Sequence, residues 1–285
     1  MRIGNLLKLA LAAALSISAF SLAQAEEKKW THVRIGMEGE FRPWSFVTSD
    51  GKLEGFEVDL YKILCDKMGV TCEIVKQPFD GIIPALSIGK FDVIMSGMSA
   101  TPKREEVIDF SEAYASTGQS FATIKGSPSE ALPGTGKIYP LASDEAGAIK
   151  ALEEMKPVLK GKIVGVQAGS IAATFLDKYL KNDITIREYK TTEQHDLDLK
   201  AGRVDMIIAS RAYIAGAAAK PGNEDMIPVG PRFQGGVLGR GSSIGLRKSD
   251  PELRDMFTKA IKEVKADGTI KALSEKWFGY DVTPY

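Results

Sequence analysis

Apolar positions along the chain switch between two periods, and the switches repeat. Short apolar runs over 33–36, 71–75 and 91–95 read as strands, the last continuous enough to be buried on both faces of a parallel sheet. Between them Phe56, Leu60, Ile63 and Leu64 recur at helical spacing up to a stop at Gly69, and Asp80 is the expected N-cap of a second helix over 81–88. Asp50-Gly51, flanked by Phe46-Val47 and Leu53, predicts a tight hairpin. The second half repeats the alternation: a strand over 162–166, a helix carrying Phe175, Leu176 and Tyr179, a strand over 184–189, and a helix through 197–199 capped by Thr191 or Thr192. The chain finishes with a strand over 243–246 and two helices, one over 252–266 behind Pro251 and one over 269–277, parted by Asp267-Gly268. Residues 127–136 read as loop, and a short helix near 144–155 reads as an insertion. Strands alternating with helices predict an α/β fold.

One stretch occurs twice. Leu86-Ser87-Ile88-Gly89-Lys90-Phe91-Asp92-Val93-Ile94-Met95 is echoed by Leu199-Lys200-Ala201-Gly202-Arg203-Val204-Asp205-Met206-Ile207-Ile208. Each is a helix end, a glycine stop, an Asp and a buried strand. The period is far longer than a solenoid repeat, so it predicts two lobes of similar build. Ser96 and Ser210 follow the two echoed strands, and the strand ends are expected to face each other across a cleft.

The chemistry collects at those strand ends. Ser96, Gly97 and Ser99 let a ligand approach bare backbone, Thr101-Pro102 starts a helix, and Arg104 supplies a planar fork of donors for a carboxylate or phosphate. Glu38 leaves the first strand where ligands gather in open α/β sheets, Phe41 follows three residues on, and Phe79 holds a comparable strand-to-helix junction. In the second half Gln167-Ala168-Gly169-Ser170 turns a strand into a helix whose N-cap is expected to be Ser170. Glu193, His195, Asp196 and Asp198 read as a solvated helix face and not as a metal cluster.

Composition narrows the classes. Arg2 and Lys8 precede the apolar run 9–20, and Ala23-Gln24-Ala25 resembles a cleavage site, so residues 1–25 read as a secretory signal peptide and the mature chain as a soluble periplasmic protein. Removing those two basic residues from 37 leaves 35 against 37 acidic ones, a net charge of about −2, which argues against a nucleic-acid partner. In an oxidising compartment Cys65 and Cys72 read as a disulfide across a helix-to-strand corner. The Gly-rich stretch at Gly235-Gly236 and Gly239-Arg240-Gly241 lacks the lysine of a phosphate loop. No metal, cofactor or catalytic set is expected, since no Ser-His-Asp or Cys-His arrangement can be built.

Gly55 to Leu60, Met95 to Ser99 with Arg104, Asp267-Gly268-Thr269, Trp277-Phe278-Gly279, the leader and the cysteine corner together resemble the periplasmic polar amino acid and opine-binding proteins of ABC importers, over essentially the whole mature chain. The resemblance implies a two-lobed periplasmic binding protein fold, with 26–115 and 240–285 in one lobe and 116–239 in the other. Two crossing hinge strands, near 114–118 and 239–241, join lobes that close on a ligand cleft. It implies a monomer that delivers a small ligand to an inner-membrane permease. Carried over residue by residue, Arg104 clamps an α-carboxylate with the Ser99 and Ser170 regions, and Ser96 and the Gly97 backbone take the amine or nearby polar atoms. Phe41 and Phe79 sandwich the side chain, and Glu38 pairs with a cationic head. Binders of histidine, lysine, arginine and ornithine carry Asp where this chain has Ser210. Ser210 with Gln167, the insertion, and Gly230-Pro231-Arg232 look instead like octopine- and nopaline-binding proteins, although Ser99, Phe79 and Ile171-Ala172 depart from that pattern. The implied ligand is an arginine-derived opine, the alternative a cationic amino acid. Less expected readings are an exported cyclohexadienyl dehydratase-like enzyme and the sensing domain of a membrane receptor.

Overall fold

The computed structural model describes residues 29–284, so the expected leader lies outside the described residues. Two sheets divide the chain. The first has the order Thr71–Lys76, His32–Met37, Val93–Ile94, Ser242–Leu246, Asp109–Ala115, with the first three strands parallel and the last two antiparallel to their neighbours. The second runs Thr185–Tyr189, Ile163–Gln167, Met206–Ser210, Gln119–Ile124, Met226–Gln234, Ile138–Pro140 and opens with the same parallel triplet followed by an antiparallel strand. The chain passes from the first sheet to the second between Ala115 and Gln119 and returns between Gln234 and Ser242.

The sequence echo is a structural one. Val93 pairs with Ile35 and Met206 with Val164, so the two echoed strands hold the same register against their central strands. The echoed aspartates explain why. Asp92 accepts the Arg34 N–H at 3.0 Å, and Asp205 accepts the Ile163 N–H at 2.8 Å. Each carboxylate therefore fixes where its strand begins to pair, and Arg34 and Lys162 compensate its charge at 2.9 and 3.0 Å. Gly36 is required where the central strand meets Phe91, because a Cβ there would stand 2.5 Å from that ring.

Helices cover the sheets by the periodicity that predicted them. In Phe56–Met68, Phe56, Leu60 and Leu64 are fully buried against the first sheet together with Phe257 and Ile261 of Pro251–Ala266. The Cys65–Cys72 disulfide closes the corner between Phe56–Met68 and Thr71–Lys76. The insertion proves to be part of the second core: Ile138–Pro140 adds the edge strand, and Glu145–Leu159 buries Ala148, Leu152, Met155 and Leu159.

Three local expectations are corrected. Asp80 is not an N-cap: it lies in the 3-10 turn Phe79–Gly81, and the helix Ile82–Ser87 is preceded by Gly81. The strand expected over 91–95 is regular only at Val93–Ile94, although all five residues are buried. The solvated face expected of Thr192–Lys200 holds only in part: Glu193 is exposed and Asp198 half-buried, but His195 is 0% and Asp196 4% exposed, whereas Leu197 is 58% exposed. His195 and Asp196 turn into the interior of their own lobe, where Tyr189 and Tyr213 flank the imidazole and Tyr213 donates its hydroxyl to Asp196, contacts that helical charge spacing alone does not reveal. No helix among the described residues is long and apolar enough to cross a membrane.

Candidate ligand-binding site

The C-terminal ends of both parallel triplets open onto one cleft, the place where α/β sheets expose backbone and helix starts to a ligand. All ten residues singled out in the sequence line it: Glu38, Phe41, Phe79, Ser96, Gly97, Ser99 and Arg104 from one side, and Gln167, Ser170 and Ser210 from the other. Side-chain hydrogen bonds cross the gap, and Ser99 Oγ makes one of them with the Leu238 carbonyl at 2.8 Å. Gln167 Nε2 donates to Glu38 Oε1 at 2.6 Å, Arg104 donates to the Gly169 carbonyl at 3.1 Å, and Thr192 donates to the Glu40 carbonyl at 3.2 Å.

Glu38 follows the strand His32–Met37 and is 5% exposed. Burial pushes its carboxyl up to about 8, against the lowering effect of the Gln167 hydrogen bond, since a charge taken from water and faced by a neutral amide is poorly compensated. Arg104 lies in the single turn Pro102–Glu105, whose Thr101 cap accepts the Arg104 N–H at 3.3 Å. Its guanidinium also donates to the Ser99 carbonyl at 2.9 Å and stands 5.7 Å from the centre of the Phe79 ring. Part of the side chain still meets solvent, but desolvation in the cleft pulls its pKa down to about 10, which leaves it cationic at neutral pH. Among the described lining residues Glu38 is the one acid and Arg104 the one Arg or Lys.

The serines differ in what they have left to offer. Ser170 and Ser210 are N-caps whose Oγ atoms accept the N–H groups of Ala173 and Tyr213, each at 3.1 Å. The hydroxyl proton of each is then free to be donated into the cleft. Ser96 Oγ accepts the Glu38 N–H at 3.1 Å, so it too retains a proton to donate. Ser99 donates its hydroxyl to the Leu238 carbonyl at 2.8 Å. The Gly97 N–H is given to Glu57 Oε1 at 2.7 Å, away from any ligand.

The aromatic wall is larger than the pair foreseen. Phe41 lies parallel to Trp44, with centroids 6.1 Å apart, and to Tyr213 across the cleft at 5.1 Å. Sequence reading missed Trp44 as a lining residue, along with Thr117 and Gln119 at the first crossing, Gln234 near the second, and His195. Trp44 carried a signal, an aromatic three residues after Phe41. The crossing residues carried none: Thr117 lies between strands, and Gln119 and Gln234 are the end residues of Gln119–Ile124 and Met226–Gln234, strands that the sequence reading did not foresee.

The sequence profile of bacterial extracellular solute-binding proteins, family 3, matches residues 33–280. The chain is 43% identical over 297 aligned positions to the octopine-binding periplasmic protein of Rhizobium meliloti, covering 98% of this chain and 99% of that protein. It is 34% identical to the L-arginine-binding protein of Pseudomonas aeruginosa, covering 96% of this chain and 98% of that one. In structure it is similar to an ancestral arginine-binding protein bound to arginine, with a TM-score of 0.72 and 34% identity over 87% of this chain and 98% of the other. A His/Glu/Gln/Arg/opine family-binding protein of Silicibacter pomeroyi, in complex with lysine, superposes with a TM-score of 0.69 at 32% identity over 89% of this chain and 100% of that one. Two lobes, a cleft between their strand ends and a match through nearly the whole described chain place this protein, with relatives that are binding proteins, in family 3 of the bacterial extracellular solute-binding proteins.

Proposed function

We propose that the protein is a periplasmic receptor for an arginine-derived opine of the octopine or nopaline type, which it hands as a monomer to an inner-membrane ABC permease. The observation that carries this reading is the distribution of charge in the cleft. Glu38 can pair with a guanidinium and Arg104 with a carboxylate, while the far wall offers neutral Gln167 and Ser210. An α-amino acid would leave its primary ammonium without a carboxylate there. An opine has a secondary amine and a second carboxylate arm, which suits the hydroxyl protons left to Ser210 and Ser170 by their capping bonds. The octopine-binding relative supports the same class. In this reading the lobe of 26–115 and 240–285 closes on that of 116–239, and ligand favours the closed state by its contacts with both.

The arginine-binding relative supports a second reading, a receptor for arginine or another cationic amino acid. The deciding experiment is calorimetric titration of unfolded and refolded mature protein with octopine, nopaline, arginine, lysine, histidine and glutamine. A ligand at 100 times its Kd should raise stability by about 2.7 kcal/mol, so thermal shift provides a parallel readout. An opine at least tenfold tighter than arginine supports the first reading. Arginine or lysine as the tightest ligand overturns it in favour of the second.

A further inference from the structure

Behind the cleft wall lies a carboxyl that the proposed ligand does not touch. Glu57, in the first turn of Phe56–Met68, is fully buried and is not among the residues lining the cleft. Its Oε1 accepts the Gly97 N–H at 2.7 Å and the hydroxyl of Tyr114, the latter fully buried on the strand that runs into the first crossing. The backbone of Glu57 is itself anchored, donating its N–H to the Trp44 carbonyl at 2.9 Å, while Phe56 donates to that of Pro43 at 2.9 Å.

Gly97 is the residue where this anchoring matters. Its φ is +59°, in the left-handed region, and a Cβ there would stand 3.0 Å from Phe41 Cε1. The peptide is thus pressed against one cleft aromatic, and it directly follows Ser96, which receives the Glu38 N–H. Rotation of the Gly97 peptide would therefore disturb Phe41 and the Glu38–Ser96 contact together. The N–H that resists this rotation has Glu57 as its partner.

We propose that Glu57 is a positioning residue for ligand capture: its carboxyl holds the Gly97 peptide, and through it the Ser96–Gly97 part of the wall, in the orientation that a ligand meets. The inference rests on the reading of the cleft as a ligand site, and its test has one arm that does not. Mature Glu57→Ala, Glu57→Gln and Val58→Ala are compared with wild type. Val58 is buried in the same core, so its truncation is a control for loss of stability alone.

In ligand-free protein, hydrogen exchange over 95–99 should accelerate at least tenfold in Glu57→Ala beyond any acceleration in Val58→Ala, because only the first leaves the Gly97 N–H without its acceptor. In titrations with octopine and with arginine, Glu57→Ala should weaken whichever binds by roughly 5- to 100-fold. Glu57→Gln, whose amide oxygen can still accept from Gly97, should stay within about threefold of wild type. Unchanged exchange over 95–99 in Glu57→Ala overturns the proposal, as does a loss of affinity no greater than that in Val58→Ala. If wild type binds neither ligand, the functional reading fails and the exchange arm still decides whether Glu57 holds Gly97.

Discussion

Glu38 and Gln167 occupy the same position in the two lobes, each two residues beyond the glycines Gly36 and Gly165 of equivalent strands, and they meet across the cleft at 2.6 Å. The internal repeat thus brings an acid and an amide face to face. Their difference gives the cleft its polarity: one lobe can neutralise a cation, and the other can only hydrogen-bond.

Glu38→Gln should weaken arginine and octopine by roughly 30-fold or more, since losing one member of a desolvated charge pair typically costs about 2–5 kcal/mol. Glutamine, with no cationic head, should change by less than about fivefold. Calorimetry on the three ligands checks the assignment, and equal losses for all three would place the cationic head elsewhere.

Arg104→Ala should abolish measurable binding of every ligand with an α-carboxylate, and Arg104→Lys should recover only part of it, because an ammonium cannot reproduce a two-pronged contact. Near wild-type affinity in Arg104→Ala would show that the carboxylate is held by the hydroxyls and backbone alone.

Ser210→Asp adds a negative charge to the neutral wall. The ratio of arginine to octopine affinity should rise at least tenfold, because the new carboxylate can pair with a primary ammonium and repels the second carboxylate of an opine. A ratio that is unchanged would mean that the second arm does not lie near Ser210.

Two buried carboxyls set a pH dependence. Burial holds Glu38 up at about 8 and Glu57 at about 7, so the native state keeps protons that the unfolded chain releases above its ordinary carboxyl range. Stability from these groups is fully present below about pH 4.5 and is lost as pH rises through 7 and 8, by up to about 1.4 kcal/mol per pH unit for each group within its window. Urea unfolding between pH 5 and 8.5 should show this fall, with Glu57→Gln reducing its slope up to about pH 7 and Glu38→Gln reducing it up to about pH 8. A cationic head also favours the ionised Glu38, so binding at pH 7 should release a proton, read as a dependence of binding enthalpy on the buffer. Parallel pH curves in all three proteins would contradict both assignments.

Much of this molecule can be read from its primary structure. The strand and helix alternation, the caps at Ser170 and Thr191 and the echo around Asp92 and Asp205 depend on neighbours a few residues away, so local periodicity reveals them. The presence of the ten cleft residues was reachable by resemblance. Which group each one engages was not. The Gly97 N–H turns back to Glu57, forty residues earlier, and Ser99 spends its proton on Leu238, far along the chain. Phe41 finds Tyr213, and His195 and Asp196 are buried although their helix carries the charges of a surface.

By itself the sequence determined the main alternation of strands and helices and which end of the echoed strands carries polar chemistry, because chain geometry repeats every two or 3.6 residues. Only the tertiary structure decided which donors are already satisfied and which remain for a ligand. That outcome depends on what distant parts of the chain, in the same lobe or the other, bring within hydrogen-bond reach, and no local pattern encodes such a distance.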